Sequence, residues 1–220
     1  MISNIIKSSD LFHKNVWSVQ FFLPQKDFQI KDDYQLVKVG DLVYERKESI
    51  ALTADDFDVN YVGLENIEAK TGRIVSFVPK HGAEIKSTCK RFYAGDILYG
   101  RLRPNLNKVY YNDIFSEGVC TTEIIVLTPN LDKVDPVYLA ELLRTELINQ
   151  RIVGLIKGAA LPRVSMADLA QLAIPIPSLE KQHKLAAEIA RRRAELDEHI
   201  RIAKQIPAEI DTFITAAFCM

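Results

Sequence analysis

Cysteine is scarce in this chain. Cys89, Cys120 and Cys219 are the only three in 220 residues, and no CxxC pair occurs. Widely spaced and odd in number, they read as reduced thiols. That argues against a disulfide framework or a cysteine-held zinc and for a cytoplasmic protein. No run of about 18 apolar residues is present, nor an apolar signal stretch near the start, so neither a membrane-spanning nor a secreted protein is expected. Glycine is sparse as well, with nine residues, and none builds a Walker loop, a GxGxxG turn or a GxSxG elbow. The four histidines, His13, His81, His183 and His199, lack metal-ligand spacing. With no glycine-rich cofactor loop and no Asn/Asp-Pro-Pro-aromatic run, the chain is not expected to methylate unaided. No catalytic residue, cofactor or metal is expected.

What is present is ordinary in amount and uneven in arrangement. The chain is 48% hydrophobic and 26% charged, typical of a globular protein, and long enough for one domain and an appendage. Its net charge is −1, yet residues 27–68 hold eleven acids against four bases while residues 70–108 hold nine bases against two acids. Local field steers a polyanion more than total charge does, so a basic face turned to DNA is compatible with this balance.

Short β-rich runs fill residues 15–130: 16–23, 36–39, 61–64, 74–77, 97–99, 109–111 and 122–127. Turn formers such as Gly40-Asp41, Thr71-Gly72, Gly95-Asp96 and Asn112-Asp113 separate them. After Asp135-Pro136 the period becomes helical, predicting one helix over 137–154. A glycine-rich link at 158–165 leads to a short helix from Ser165. The prolines of 172–177 push their neighbours into extended backbone, giving an edge strand or strap. Ser178 then caps a long helix. Its seam runs Gln182, Leu185, Ile189, Arg192, Leu196, His199, Ala203, Ile206, Ile210, Phe213 and Ala217, the alternation of fours and threes of a coiled coil. Pro207 is expected to interrupt it or to open a second segment. The resulting fold class is α+β (mixed α/β), with a strand-rich domain over 1–177 and a coiled-coil helix over 178–220. A narrow apolar seam on one helix calls for a second helix to cover it.

The richest chemistry lies at 95–108, where a strand-like run enters a turn carrying Arg101, Arg103, Asn105, Asn107 and Lys108. Guanidinium forks suit phosphates and guanine edges, and carboxamides suit adenine edges. Lys86, Lys90 and Arg91 precede this loop, and Lys157 and Arg163 flank the later link, as candidate phosphate contacts; Thr121 and Thr122 are weaker candidates. A competing pattern, Asp58 with Glu68 and Lys70, has the residue types of a nuclease metal site, but such a triplet arises readily among 29 acids.

Several stretches occur in a familiar order. Trp17 is followed by Tyr61-Val-Gly-Leu-Glu-Asn-Ile-Glu68, Thr71-Gly72, Gly95-Asp-Ile-Leu-Tyr-Gly-Arg-Leu-Arg-Pro104 and Glu117-Gly-Val-Cys-Thr-Thr-Glu123. Gly158, Pro162-Arg163, Leu169, Ile174-Pro-Ile-Pro177 and Glu180-Lys-Gln182 complete the series. Over nearly the whole chain this resembles the DNA specificity (S) subunit of type I restriction-modification systems. The resemblance implies a target recognition domain followed by a spacer helix, twice in tandem in a full-length subunit, with the helices packed antiparallel. It also implies that catalysis belongs to partners, an N6-adenine methyltransferase subunit and a DNA-translocating restriction subunit. With one domain and one helix, this chain looks like a half-length version. Two copies about a two-fold axis would rebuild the arrangement and favour a palindromic split site. From 179 to 206 the helix spans about 42 Å, roughly one turn of B-DNA.

The expected DNA contacts are therefore Lys86, Lys90, Arg91, Arg101, Arg103, Asn105, Asn107, Lys108 and Arg163. The expected spacer and dimerisation residues are Leu185, Ile189, Leu196 and Ile206. Double-stranded DNA, a methyltransferase subunit, a restriction subunit and a second copy are the expected partners. The alternatives are an interaction module that modulates an S subunit through its helix, and a metal-dependent nuclease.

Overall fold

The computed structural model describes residues 29–53, 57–154 and 162–218. The strand expected at 16–23, Trp17, Lys157, Gly158 and Cys219 lie outside the described residues. In chain order the strands are β1 (Tyr34–Lys38), β2 (Val43–Arg46), β3 (Ser49–Ile50), β4 (Asp58–Val59), β5 (Tyr61–Val62), β6 (Lys80–His81), β7 (Cys89–Tyr93), β8 (Ile97–Gly100), β9 (Val109–Tyr111), β10 (Glu117–Thr121) and β11 (Ile124–Pro129). Helices α1 (Pro136–Arg144), α2 (Glu146–Val153) and α3 (Met166–Gln171), strand β12 (Ala173–Pro177) and helix α4 (Leu179–Phe218) follow. The mixed α+β class is as expected.

Two four-stranded sheets form the body, ordered β2-β11-β8-β9 and β3-β7-β10-β5. Alternation along the strands explains why the first is buried on both faces. Ile97, Tyr99, Ile125 and Leu127 pack with Leu139, Leu143, Ile148 and Ile152 of the helices. Leu98, Ile124 and Val126 turn the other way, onto Val62, Phe92 and Cys120 of the second sheet. On the far face of that sheet, Cys89 and Val119 share a small cluster with Ile85. The layers are thus helix, sheet, sheet and a thin outer cluster. Burial pushes the Cys120 thiol up to about 12, so it stays protonated at neutral pH.

Two expectations need correction. The helix expected over 137–154 is two helices, because Thr145 is extended (ψ 142°) and its hydroxyl accepts from the Ile148 amide, starting α2 afresh. Pro207 does not interrupt α4, which runs through it. The proline lacks only the N–H that would reach the Ala203 carbonyl, and at this exposed position water can satisfy that carbonyl. The first turns of α4 dock on the domain. Gln182 is 1% exposed; its side chain accepts from the Asp135 amide and donates to the Lys133 and Pro177 carbonyls. Leu185 packs against the main core beside Ala186. The base of the helix belongs to the domain, and only residues beyond it stand clear.

Pro175 and Pro177 sit where the sequence places them, on β12, which among the described residues pairs with β1 alone (Val37 opposite Ile174) in a two-stranded sheet.

Candidate nucleic-acid interface

One end of the body gathers the loops that matter. The registers set Cys89 opposite Thr121, Val62 opposite Cys120 and Gly100 opposite Ile124. The segments 63–66, 86–88, 101–108 and 121–123 therefore emerge together.

The 101–108 loop is anchored on several sides, each anchor a specific hydrogen bond. The Arg101 amide donates to the Glu123 carbonyl at 3.0 Å, and the Arg103 amide to the Pro162 carbonyl at 2.8 Å. The Val164 amide returns to the Arg101 carbonyl at 3.1 Å, so 101–103 pair with 162–164 as a short antiparallel ladder. Arg103 is left-handed (φ 50°), Pro104 opens a 3-10 turn over Pro104–Leu106, and Asn107 (φ 53°) closes it. Left-handed backbone costs a non-glycine residue about 1 kcal/mol, and it persists here because the surroundings hold it. Asn149 donates to the Pro104 carbonyl at 2.9 Å and Asn107 to the Arg144 carbonyl at 2.6 Å.

This locking divides the expected contacts. Arg103, Asn105 and Lys86 are exposed at the gathered end. Arg101 is half-buried, with its Nε enclosed and without a hydrogen-bond partner. Asn107, expected on the surface, is 4% exposed and holds the turn together. Lys108 and Lys90 are likewise drawn inward: their Nζ atoms donate to the Leu64 carbonyl at 2.6 Å and the Ile124 carbonyl at 2.9 Å. Arg163 grips Glu123 through two nitrogens, at 2.7 and 2.9 Å, and holds that carboxyl below the usual carboxylate range. Arg91 lies on the outer sheet face, lining a cleft with Asp58 and Glu117, away from the loop. Thr121 caps its own turn through the Glu123 amide, while Thr122 is exposed. Lys70, passed over as a contact, is exposed beside the loop, its amide donating to the Asn107 carbonyl at 3.0 Å. Only its left-handed φ of 67° marks it, and that is invisible in sequence.

The acidic and basic segments of the sequence exchange ion pairs inside the body. Glu45 pairs with Lys90, and Arg46 with Asp96, because β2 and β7–β8 meet in the body. The nuclease pattern is dispersed over ordinary structural roles. Asp58 is in the β4–β6 pairing and Glu68 accepts from the Thr71 hydroxyl at 2.5 Å. Among the described residues no three His, Cys, Asp or Glu side chains are grouped to hold a metal ion, and no helix is long and apolar enough to cross a membrane.

The family model for the type I restriction modification DNA specificity domain matches residues 31–212. The chain belongs to this family. Over 146 residues, 66% of its length, this specificity-family chain is 26% identical to the type I restriction enzyme EcoDI specificity subunit of Escherichia coli, of which it spans 31%. Its fold is similar to the HsdS subunit of Thermoanaerobacter tengcongensis, with a TM-score of 0.65 and 22% identity over 88% of this chain and 50% of that one. A chain from work on complex assembly and conformational transition of the type I R-M system gives a TM-score of 0.66 with the same identity and coverages. The described residues hold one recognition-type domain and one long helix, and the chain spans half or less of the length of these relatives.

Proposed function

We propose that this specificity-family chain is the non-catalytic DNA-reading half of a cytoplasmic type I restriction-modification assembly. It directs an N6-adenine methyltransferase subunit, and a restriction subunit where one is present, to a split site in double-stranded DNA. The observation that carries this reading is the 101–108 loop, a strained turn fastened to its surroundings by six backbone or carboxamide bonds that leaves Arg103 and Asn105 facing out. Side chains on a pre-ordered loop lose little entropy on binding, and an arginine fork or a carboxamide on such a loop can discriminate base edges. Lys86 and Lys70 supply phosphate attraction around it. Arg101 joins Arg103 as a DNA contact; Arg163, through Glu123, supports the loop's far strand. In this reading residues 1–177 recognise one half-site and 178–220 hold the spacing. Two copies meet through the outer part of α4, where Ile206 and its neighbours are exposed, while Leu185 and Ile189 serve the docked base.

Native affinity purification with mass spectrometry is the first test; a stoichiometric adenine methyltransferase is the expected companion. Duplexes selected from a random library then give the site. Arg103→Ala is expected to weaken binding to the selected duplex by about 1–3 kcal/mol and to relax one base position. Unchanged affinity at fixed salt would remove the loop from the interface. Recovery of an intact S subunit without methyltransferase would favour a modulating module acting through the exposed helix.

A further inference from the structure

The long helix leaves the domain between two open grooves. On one side a space of about 470 Å³ lies between Ala190 and Ala194 of α4 and Tyr111, Ile114 and Val137 of the domain. On the other, about 340 Å³ separates Thr71 from Ile189 and Leu196. Helix docking normally relies on side chains interlocked without voids. Here the alanines reach little and the grooves leave room for the helix to swing.

What ties it down is polar. Arg193 donates to the Glu141 carboxylate of α1 and, at 2.8 Å, to the Thr71 carbonyl. One turn on, Asp197 pairs with Arg73 at 3.1 Å. Both anchors on the domain are firmly held. Glu141 is bound at 2.6 Å by Arg144, which is 5% exposed along its side chain and donates also to the Val109 carbonyl. The turn carrying Thr71 and Arg73 depends on Gly72 (φ +66°), where a Cβ would come within 2.0 Å of the Val109 carbonyl oxygen. The same turn receives the recognition loop through the Lys70 to Asn107 bond. Loop and helix therefore share one frame, whose last attachment to the helix is Asp197. Every residue from 201 to 218 is exposed.

We infer that Arg193 and Asp197 are positioning residues: by gripping Glu141, the Thr71 carbonyl and Arg73 they set the angle at which the spacer helix leaves the domain, and so the half-site separation the assembly accepts. The second clause rests on the DNA-reading function proposed above; the first does not. From Arg193 to Phe218 the helix is a lever of about 38 Å, so a swing of about 10° carries its tip about 7 Å, two base-pair steps.

The test uses the full chain with Arg193→Gln and Asp197→Asn together, and Arg193→Lys as the conservative variant. Spin labels at Asp132→Cys and Lys204→Cys, both exposed sites, in a Cys219→Ser background and diluted with unlabelled protein, report the helix angle as a distance distribution. The expected result is one narrow peak in the parent, a peak broadened about twofold or more in the double variant, and near-parent width for Arg193→Lys, with unchanged circular dichroism in all three. An unchanged width in the folded double variant overturns the inference. If the double variant is unfolded, Asp197→Asn alone carries the same comparison. With the selected duplex, half-sites moved apart by one or two base pairs should bind the parent about tenfold more weakly and the double variant less than about threefold more weakly. Retained spacing discrimination despite a broadened angle overturns the link to half-site separation. A parent that selects no duplex defeats the proposed function, while the distance measurement still judges the clasp.

Discussion

At the scale of single residues, burial converts several polar side chains from surface chemistry into framework. Asp96 is the clearest case. It is 1% exposed, and it accepts from Arg46 at 2.9 Å, the Thr128 hydroxyl at 2.6 Å and the Tyr93 amide at 2.8 Å. Removing one member of a buried ion pair leaves the other charge uncompensated, which is costlier than the pair's net worth. Asp96→Ala is therefore expected to destabilise the fold by about 3 kcal/mol, measured by urea unfolding as a lower midpoint with an unchanged slope. A loss under about 1 kcal/mol would show that Arg46 finds water instead. Asn107 obeys the same logic. In sequence it is one of two equivalent carboxamides in a basic loop, but the left-handed turn points it at Arg144 and leaves only Asn105 outward.

At the scale of elements, the decisive junction is between α1 and α4. Burial raises the Glu141 carboxyl's tendency to hold a proton, but hydrogen bonds from Arg144 and Arg193 outweigh it and hold the group below its ordinary value. A carboxyl whose pKa is lower in the folded state stabilises the fold fully above its unfolded value, about 4.3, and loses that contribution as pH falls through the lowered one. The parent is thus expected to lose stability more steeply than Glu141→Gln below about pH 5, in thermal melts compared from pH 7 to 3. Parallel profiles would show that the pair is not maintained in solution. Farther along, Glu188 is held at about 2 by Arg191 and Arg192. These pairs are exposed, so they add solubility and local helix bias more than stability.

For the whole molecule, the unresolved demand is the outer half of α4. Ile202, Ile206, Ile210, Ile214 and Phe218 follow one another at four-residue steps, with Phe213 alongside, and all are at least 45% exposed. A stripe of this kind on a solitary helix is covered in solution by a partner. Sedimentation is expected to give twice the 24.9 kDa chain mass, and Ile206→Asp with Ile210→Asp to give the single mass without loss of the domain's melting transition. A monomeric parent would assign the stripe to another protein. How much of this was legible in sequence follows from the range of the interactions involved. The β-rich runs between turn formers, the Ser178 cap, the prolines of β12 and the long helical seam depend on neighbours a few positions away, and they marked the elements before any fold was known, as the order of the short motifs marked the family. Three-dimensional packing decided the rest. The docking of Gln182 and Leu185, the withdrawal of Asn107, Lys90 and Lys108, and the clasp of Arg193 on Glu141 each join residues far apart in the chain. Whether a polar side chain faces a ligand or a buried carbonyl depends on what the fold brings opposite it, and composition and spacing hold no record of that.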